Sequence, residues 1–154
     1  MKIISTLLMS LICIQLFACS KNNEVEQVNN SNNTSNTGTT KMKITIGSTV
    51  FTAALKNNAT VTAFKAMLPL TINMSELNGN EKFYYFSTTL PTNASSGGNI
   101  QVGDLMLYGN NCLVLFYEGF NTSYNYTRLG RVDNTSGLVA ALSAGSVTLK
   151  FEKQ

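Results

Sequence analysis

Apolar and polar residues alternate along most of the chain after residue 41, and a period of two is typical of half-buried β-strands. Turn residues separate the alternating runs, whereas residues 91–99, PTNASSGGN, show no alternation and are predicted to form a loop. The predicted strands cover residues 42–46, 49–55, 70–74, 83–86, 105–108, 112–117, 124–132 and 146–151. About eight strands favour a closed or nearly closed barrel, because closure removes exposed strand edges.

Two short helices interrupt the strand pattern. Residues 59–68 carry apolar side chains at helical spacing, and the preceding Asn58 is suited to cap the first turn. A second helix is predicted over residues 137–142, with Asn134 or Thr135 as its N-cap. The predicted fold is therefore mainly β, with two short helices.

The N-terminus has the features of a bacterial lipoprotein signal. Lys2 precedes an apolar stretch, residues 3–17, which is shorter than the ~20 residues that a membrane-spanning helix needs. Residues 16–19, LFAC, resemble the lipobox, in which the chain is cut before the cysteine and the thiol receives a diacylglycerol. The alternative is a plain secretory signal that happens to contain a cysteine. We predict a lipid anchor at Cys19, so that the membrane is a partner of the chain through acyl groups.

A polar segment separates this anchor from the folded domain. Residues 20–41 contain seven Asn, seven Ser or Thr and only two Val, which is too little apolar surface to offset the entropy of ordering. The predicted organisation is a signal peptide over 1–18, an acylated cysteine with its linker over 19–41, and one domain over 42–154. Residues 20–24 lack the dense acidic cluster that sends some lipoproteins to the cell surface. We therefore expect an outer-membrane anchor that faces the periplasm.

Composition narrows the chemistry that the domain can perform. The 154 residues include no His and carry a formal net charge of +3, with lysines scattered along the chain. Catalysis by Ser-His-Asp or Cys-His arrangements and zinc binding through His are therefore excluded, and no basic stripe indicates a nucleic-acid partner. No close Asp/Glu cluster predicts a metal site, and we expect no cofactor. The oligomeric state is left open.

Three polar or reactive positions have structural interpretations. Cys112 lies in an apolar run and is expected to be a buried, small hydrophobic residue. Glu81-Lys82 is predicted to be a polar anchor where a loop enters a strand, in preference to a catalytic pair. Asp104 follows a glycine and is expected to accept hydrogen bonds from turn amides.

Five segments together resemble the bacterial cyclophilin-like domain family. They are MKITIGSTVFTAAL, a short helix ending in LPL, NGNEKFYYF, GDLMLYGNNCLVLFY and YTRLGRV, and they extend over nearly all of residues 42–152. The resemblance implies a cyclophilin-type β-barrel with helices closing its ends. Some members of the family are secreted lipoproteins, and others occur beside flavodoxin-type domains. A shared fold does not by itself imply prolyl isomerase activity.

The chain departs from catalytic cyclophilins at their signature. Those enzymes carry a Phe-His-Arg stretch beside an aromatic pocket, and this chain has no such motif. Arg128 is the candidate for a polarising cation, because strict strand alternation places it on the face of Tyr124 and Tyr126 and places Arg131 on the other face. The alternative is a solvated arginine whose stem packs on tyrosine. Candidate ligand-binding residues are Tyr85, Tyr117, Tyr126 and Arg128.

Three functions follow from these observations. The first is a membrane-tethered, cyclophilin-like binding module for a peptide or small ligand, without efficient catalysis. The second is a weak peptidyl-prolyl isomerase or folding factor of the cell envelope that uses Arg128. The third, implied only by the family resemblance, is an accessory partner of a flavodoxin-like redox protein.

Overall fold

The computed structural model describes residues 40–154, so the predicted signal peptide, Cys19 and most of the linker lie outside the described residues. Nine strands and two helices follow one another along this part of the chain. They are β1 (Thr40–Ile46), β2 (Thr49–Leu55), α1 (Ala59–Ala66), β3 (Leu70–Leu77), β4 (Glu81–Tyr85), β5 (Ser95–Ile100), β6 (Asp104–Tyr108), β7 (Cys112–Phe116), β8 (Phe120–Val132), α2 (Leu138–Ala141) and β9 (Val147–Lys153). Within this range, no helix is long and apolar enough to cross a bilayer.

Eight of the strands close into an antiparallel barrel, as the alternating pattern predicts. Their order is β2-β1-β9-β3-β4-β7-β6-β8, and β8 returns to pair with β2. The seam is formed by Ala53, Ala54 and Leu55 of β2 against residues 130–132 of β8. At this seam Gly130 is required, because a Cβ there would lie 2.4 Å from the Ala54 carbonyl oxygen.

The ninth strand corrects the prediction of a loop over residues 91–99. Ser95–Ile100 forms β5, which pairs with the first half of β8 and lies outside the closed ring. Ser and Gly give this strand no apolar alternation, so its extended form depends on the ladder that β8 offers. β5 can lie this close to β8 because Gly97 has no side chain; a Cβ there would lie 2.6 Å from Cγ2 of Thr122.

The two helices contribute apolar residues to the barrel core. Asn58 caps α1 as predicted, since its Oδ1 accepts a 2.9 Å hydrogen bond from the Val61 amide. Phe64 of α1 is fully buried and meets the ring of Phe151 edge-on, with centroids 5.8 Å apart. For α2 the prediction of Asn134 or Thr135 as N-cap is wrong, because the capping residue is Gly137 at φ 78° and no side chain caps the helix.

The apolar side chains form two separate clusters, one on each side of the β6–β7 wall. The interior cluster includes Leu105, Leu107, Leu113 and Leu115, which point into the barrel. A second cluster lies on the outer face and consists of Ile100, Met106, Cys112, Val114, Phe116 and Tyr126, with Phe83 and Phe120 packed against it. This double burial explains why β6 and β7 read as continuous apolar runs instead of alternating ones.

β8 is long enough to belong to two layers. Its second half pairs with β6 in the barrel wall, whereas its first half extends beyond β6 and pairs with β5. The resulting ribbon packs over the outer face of the barrel, where the rings of Phe116 and Phe120 lie 5.6 Å apart. The prediction that this strand begins at Tyr124 therefore missed the four residues from Phe120 that build the ribbon.

Candidate functional site

An aromatic-walled cavity of about 570 Å³ lies on the outer face of the barrel, beside the β5–β8 ribbon. Its walls come from the β3–β4 turn, from β4, β6 and β7, and from the first half of β8. The lining residues are Leu77, Asn78, Asn80, Glu81, Phe83, Tyr85, Tyr108, Cys112, Val114, Phe120, Asn121, Thr122, Tyr124 and Tyr126. This volume is within the usual range of small-molecule sites.

The aromatic side chains of the cavity brace one another. Tyr108 meets Tyr124 edge-on at 6.1 Å between centroids and Tyr126 at 5.5 Å. On the opposite wall, Phe83 and Tyr85 are edge-on at 5.8 Å. Such pairs hold ring faces in defined orientations. Tyr85 and Tyr124 are 58% and 64% exposed, so both rings are open to a ligand arriving from solvent.

Strand alternation in β4 divides its polar residues between the two sides of the barrel wall. Glu81, Phe83 and Tyr85 line the cavity, whereas Lys82 is fully buried and donates hydrogen bonds to the Ala144 and Gly145 carbonyl oxygens. Lys82 is thus the polar anchor that was predicted for this pair. Glu81 is not part of the anchor, since consecutive residues of a strand face opposite ways.

Glu81 is the buried acid of the cavity. It is 8% exposed, and its carboxyl group has no hydrogen bond or ion pair to any of residues 40–154. Loss of water on burial, together with the negative charge of Glu76, raises the pKa of Glu81 to about 7. The group can therefore change its charge near neutral pH.

Asn80 precedes Glu81 in the chain and also lines the cavity. Its Oδ1 is buried and has no hydrogen-bond partner within the part of the chain that the structure describes. The Asn80 backbone is held firmly, because its carbonyl oxygen accepts from the amides of Tyr117 and Glu118 at 3.0 and 3.2 Å. Glu81 is therefore the one acid among the residues that line the cavity, and it has no internal donor in the described part of the chain, which is rare for a residue buried to this extent.

A family model described as "Cyclophilin-like family" matches residues 44–152. The chain belongs to the cyclophilin-like family. It is similar to the solution structure of a hypothetical protein from Archaeoglobus fulgidus, with a TM-score of 0.57, 17% identity, and coverage of 75% of this chain and 95% of that one. At this identity the likeness concerns the fold alone. No curated protein matches the chain.

In this cyclophilin-like barrel Arg128 does not line the cavity. Its Nη2 donates a 2.6 Å hydrogen bond to the Gly97 carbonyl oxygen, and its Nη1 lies 3.5 Å from Asp104. Asp104 also accepts from the Gln101 amide at 3.0 Å, as predicted for a turn aspartate. The guanidinium therefore joins β5 to the start of β6 and is not part of the cavity lining.

The expectation that Arg128 and Arg131 face opposite ways is wrong because β8 contains a bulge. Leu105 pairs with Gly130 and Met106 with Arg128, so Leu129 has no partner of its own in β6. The extra residue resets the alternation and brings Arg131 to the same carboxylate, with Nε 3.7 Å from Asp104.

The cyclophilin-like site unites two of the four candidate ligand-binding residues. Tyr85 and Tyr126 line the cavity, whereas Arg128 and Tyr117 do not. The centroid of the Tyr117 ring lies 5.4 Å from Lys82 Nζ, on the other side of β4. Burial, followed by the hydrogen bond to Glu76, raises the pKa of Tyr117 to about 12. Cys112 is buried as predicted and also lines the cavity, and desolvation raises the pKa of its thiol.

Sequence reasoning missed several residues of the cavity, chiefly Asn80, Tyr108 and Phe120, together with the role of Glu81. One signal was available, because Glu81 shares a strand face with Phe83 and Tyr85 and is the only charged residue of that set. Among residues 40–154, no group of three or more His, Cys, Asp or Glu is placed to hold a metal ion.

Proposed function

We propose that the barrel domain is a binding module for a small ligand or peptide segment that presents an aromatic or apolar group, and that a lipid at Cys19 holds it in the cell envelope. The observation that carries the proposal is the aromatic-walled cavity of about 570 Å³. Monomeric proteins rarely leave large aromatic side chains in a concave site without a binding role.

The composition of the cavity favours binding over catalysis. Its walls provide ring faces and the carboxyl group of Glu81, while the arginine that a prolyl isomerase would need is bound to Gly97 and Asp104 and does not line it. Tyr85 and Tyr124 supply the exposed ring faces, and Tyr108 and Tyr126 behind them provide a fixed support.

An NMR titration of the full chain with 4-phenylbutan-1-ol, a neutral aromatic probe, tests the cavity. We expect signals of the lining tyrosines to shift, and Tyr85→Ala or Tyr124→Ala to weaken binding by about three- to tenfold, since each removes one stacking surface. Val139→Ala is the matched control, because Val139 is 48% exposed on α2 and does not line the cavity. Shifts scattered over the surface, or equal losses in all three variants, would refute the proposal.

The tether is tested separately. If Cys19 is acylated, Cys19→Ser should move the chain from the membrane fraction to the soluble fraction and abolish its labelling by a palmitate analogue. The outer membrane facing the periplasm is the proposed location, and protease treatment of intact cells should then leave the domain uncut.

A further inference from the structure

We infer that the cavity selects ligands carrying a protonated amine, and that Glu81 binds the ammonium group while the aromatic walls hold an apolar stem. The inference rests on the proposed binding function and specifies the chemistry of its ligand. The shared chemistry is an ammonium on an apolar stem, whether it belongs to a free amine or to a lysine side chain.

The cavity is electrostatically one-sided. None of its fourteen lining residues is Lys or Arg, and Lys82, although next to Glu81 in sequence, is held on the opposite side of β4 by Glu76 and two carbonyl oxygens. A carboxylate that is nine-tenths buried normally has an internal cation or hydrogen-bond donors. Here the complement is lacking within the described residues, so a cationic ligand would provide it.

The Glu81 carboxyl group matches an ammonium group in type. Its carboxylate form offers two acceptor oxygens and no donor, and an ammonium has three donors and no acceptor. A ligand carboxylate would instead meet the negative charges of Glu81 and Glu76, which is unfavourable in a partly desolvated site. The arrangement therefore discriminates by the sign of charge.

The geometry of β4 places aromatic surface along the cavity beside Glu81. Glu81 and Tyr85 are four residues apart on one strand face, which corresponds to about 13 Å at the usual rise per residue. Phe83 lies between them and Tyr126 lines the cavity as well, so the stem of an amine would follow aromatic surface. Ring faces also attract a cation directly.

Protonation of the cavity near neutral pH depends on Glu81. Five titratable groups act on Glu81 or respond to its charge. They are Glu76 of β3, Tyr85 of β4, Cys112 of β7, Tyr117 directly after β7, and Tyr126 of β8. The pKa values of the three tyrosines and the thiol are all raised, so these groups are neutral between pH 5 and 8. Hydrogen bonds from Lys82, Tyr117 and the Gly79 amide outweigh the burial of Glu76 and lower its pKa, so it stays ionised there.

The test compares two ligands that differ only in the terminal group, 4-phenylbutylamine and 4-phenylbutan-1-ol, by calorimetry on the full chain. At pH 8 we expect the amine to bind at least about tenfold more tightly than the alcohol, since only the ammonium carries a charge that compensates the partly desolvated Glu81 carboxylate. Below pH 7 the affinity for the amine should fall by up to about tenfold per pH unit, as Glu81 takes up a proton, while the affinity for the alcohol should change much less.

Glu81→Gln keeps the shape of the site and removes its charge. It should abolish the preference for the amine over the alcohol and the pH dependence of that preference. Equal affinities of the native chain for both ligands, or an amine preference that survives in Glu81→Gln, would overturn the inference and leave the binding function standing. Failure of both ligands to bind would overturn both.

A peptide pair identifies the source of the amine. The peptide acetyl-Gly-Lys-Gly-amide and its norleucine counterpart share one stem and differ in the ammonium group. Tighter binding of the lysine peptide than of phenylbutylamine indicates a peptide ligand, and the reverse order indicates a free amine. Both orders support the inference, whereas equal binding of the two peptides together with equal binding of amine and alcohol contradicts it.

Discussion

Replacing Glu81 by Gln should stabilise the fold at neutral and alkaline pH, although it removes a charged group from the aromatic-walled cavity. The pKa of Glu81 is about 7 in the folded chain, against an ordinary value of 4.5. Folding therefore favours the protonated form, and the stability that this contributes is present at acidic pH and is lost as the pH rises from 4.5 to 7. At about 1.4 kcal/mol per pH unit, the loss amounts to about 3 kcal/mol.

Urea unfolding of the native chain, Glu81→Gln and the exposed control Glu118→Gln at pH 5 and pH 8 measures this effect. For a domain of this size, about 3 kcal/mol corresponds to a midpoint shift of about 1–2 M urea. We expect Glu81→Gln to exceed the native chain by about this amount at pH 8 and by much less at pH 5, with Glu118→Gln close to native at both. A Glu81→Gln variant that is no more stable than native at pH 8 would refute the reasoning.

The remaining predictions concern the barrel itself. Lys82→Met removes a fully buried ammonium and leaves its acceptors without a donor, so it should lower the free energy of unfolding by about 3–5 kcal/mol. Lys41→Met breaks an exposed ion pair and should lower it by less than about 1 kcal/mol in the same urea assay. Gly130→Ala should destabilise by about 1–3 kcal/mol because its Cβ would press on the Ala54 carbonyl oxygen at the barrel seam, and Gly145→Ala, with open space around it, should stay within about 0.5 kcal/mol. Equal effects within either pair would contradict these accounts.

Much of the barrel could be predicted because most of its strands are half-buried and therefore alternate. The exceptions have identifiable causes. β5 has serines and glycines where a strand usually has apolar residues, and only the ladder of β8 makes it extended. The bulge at Leu129 depends on the register between β6 and β8, which no local pattern contains, and it alone brings Arg128 and Arg131 to one carboxylate.

The site was harder to predict than the fold, because it lies outside the barrel and is assembled from segments distant in sequence. Tyr85 and Tyr126 could be singled out as aromatic residues on strand faces, but their meeting requires the β5–β8 ribbon to extend along the outer wall. Glu81 was interpreted together with Lys82 because the two are adjacent. Their separation follows from strand geometry, and its consequence, an acid without a cation, depends on what β3, β7 and β8 place around it.

The account depends most directly on the ionisation of Glu81 and its response to an amine. Carboxyl ¹³C NMR of the full chain, titrated from pH 4 to pH 9 with and without 4-phenylbutylamine, follows this group alone. We predict a pKa of about 7 for Glu81 in the free protein, and a marked decrease when the amine is bound, because the ammonium stabilises the carboxylate. A Glu81 that titrates near 4.5 in the free protein, or whose pKa is unchanged by saturating amine, would contradict the account.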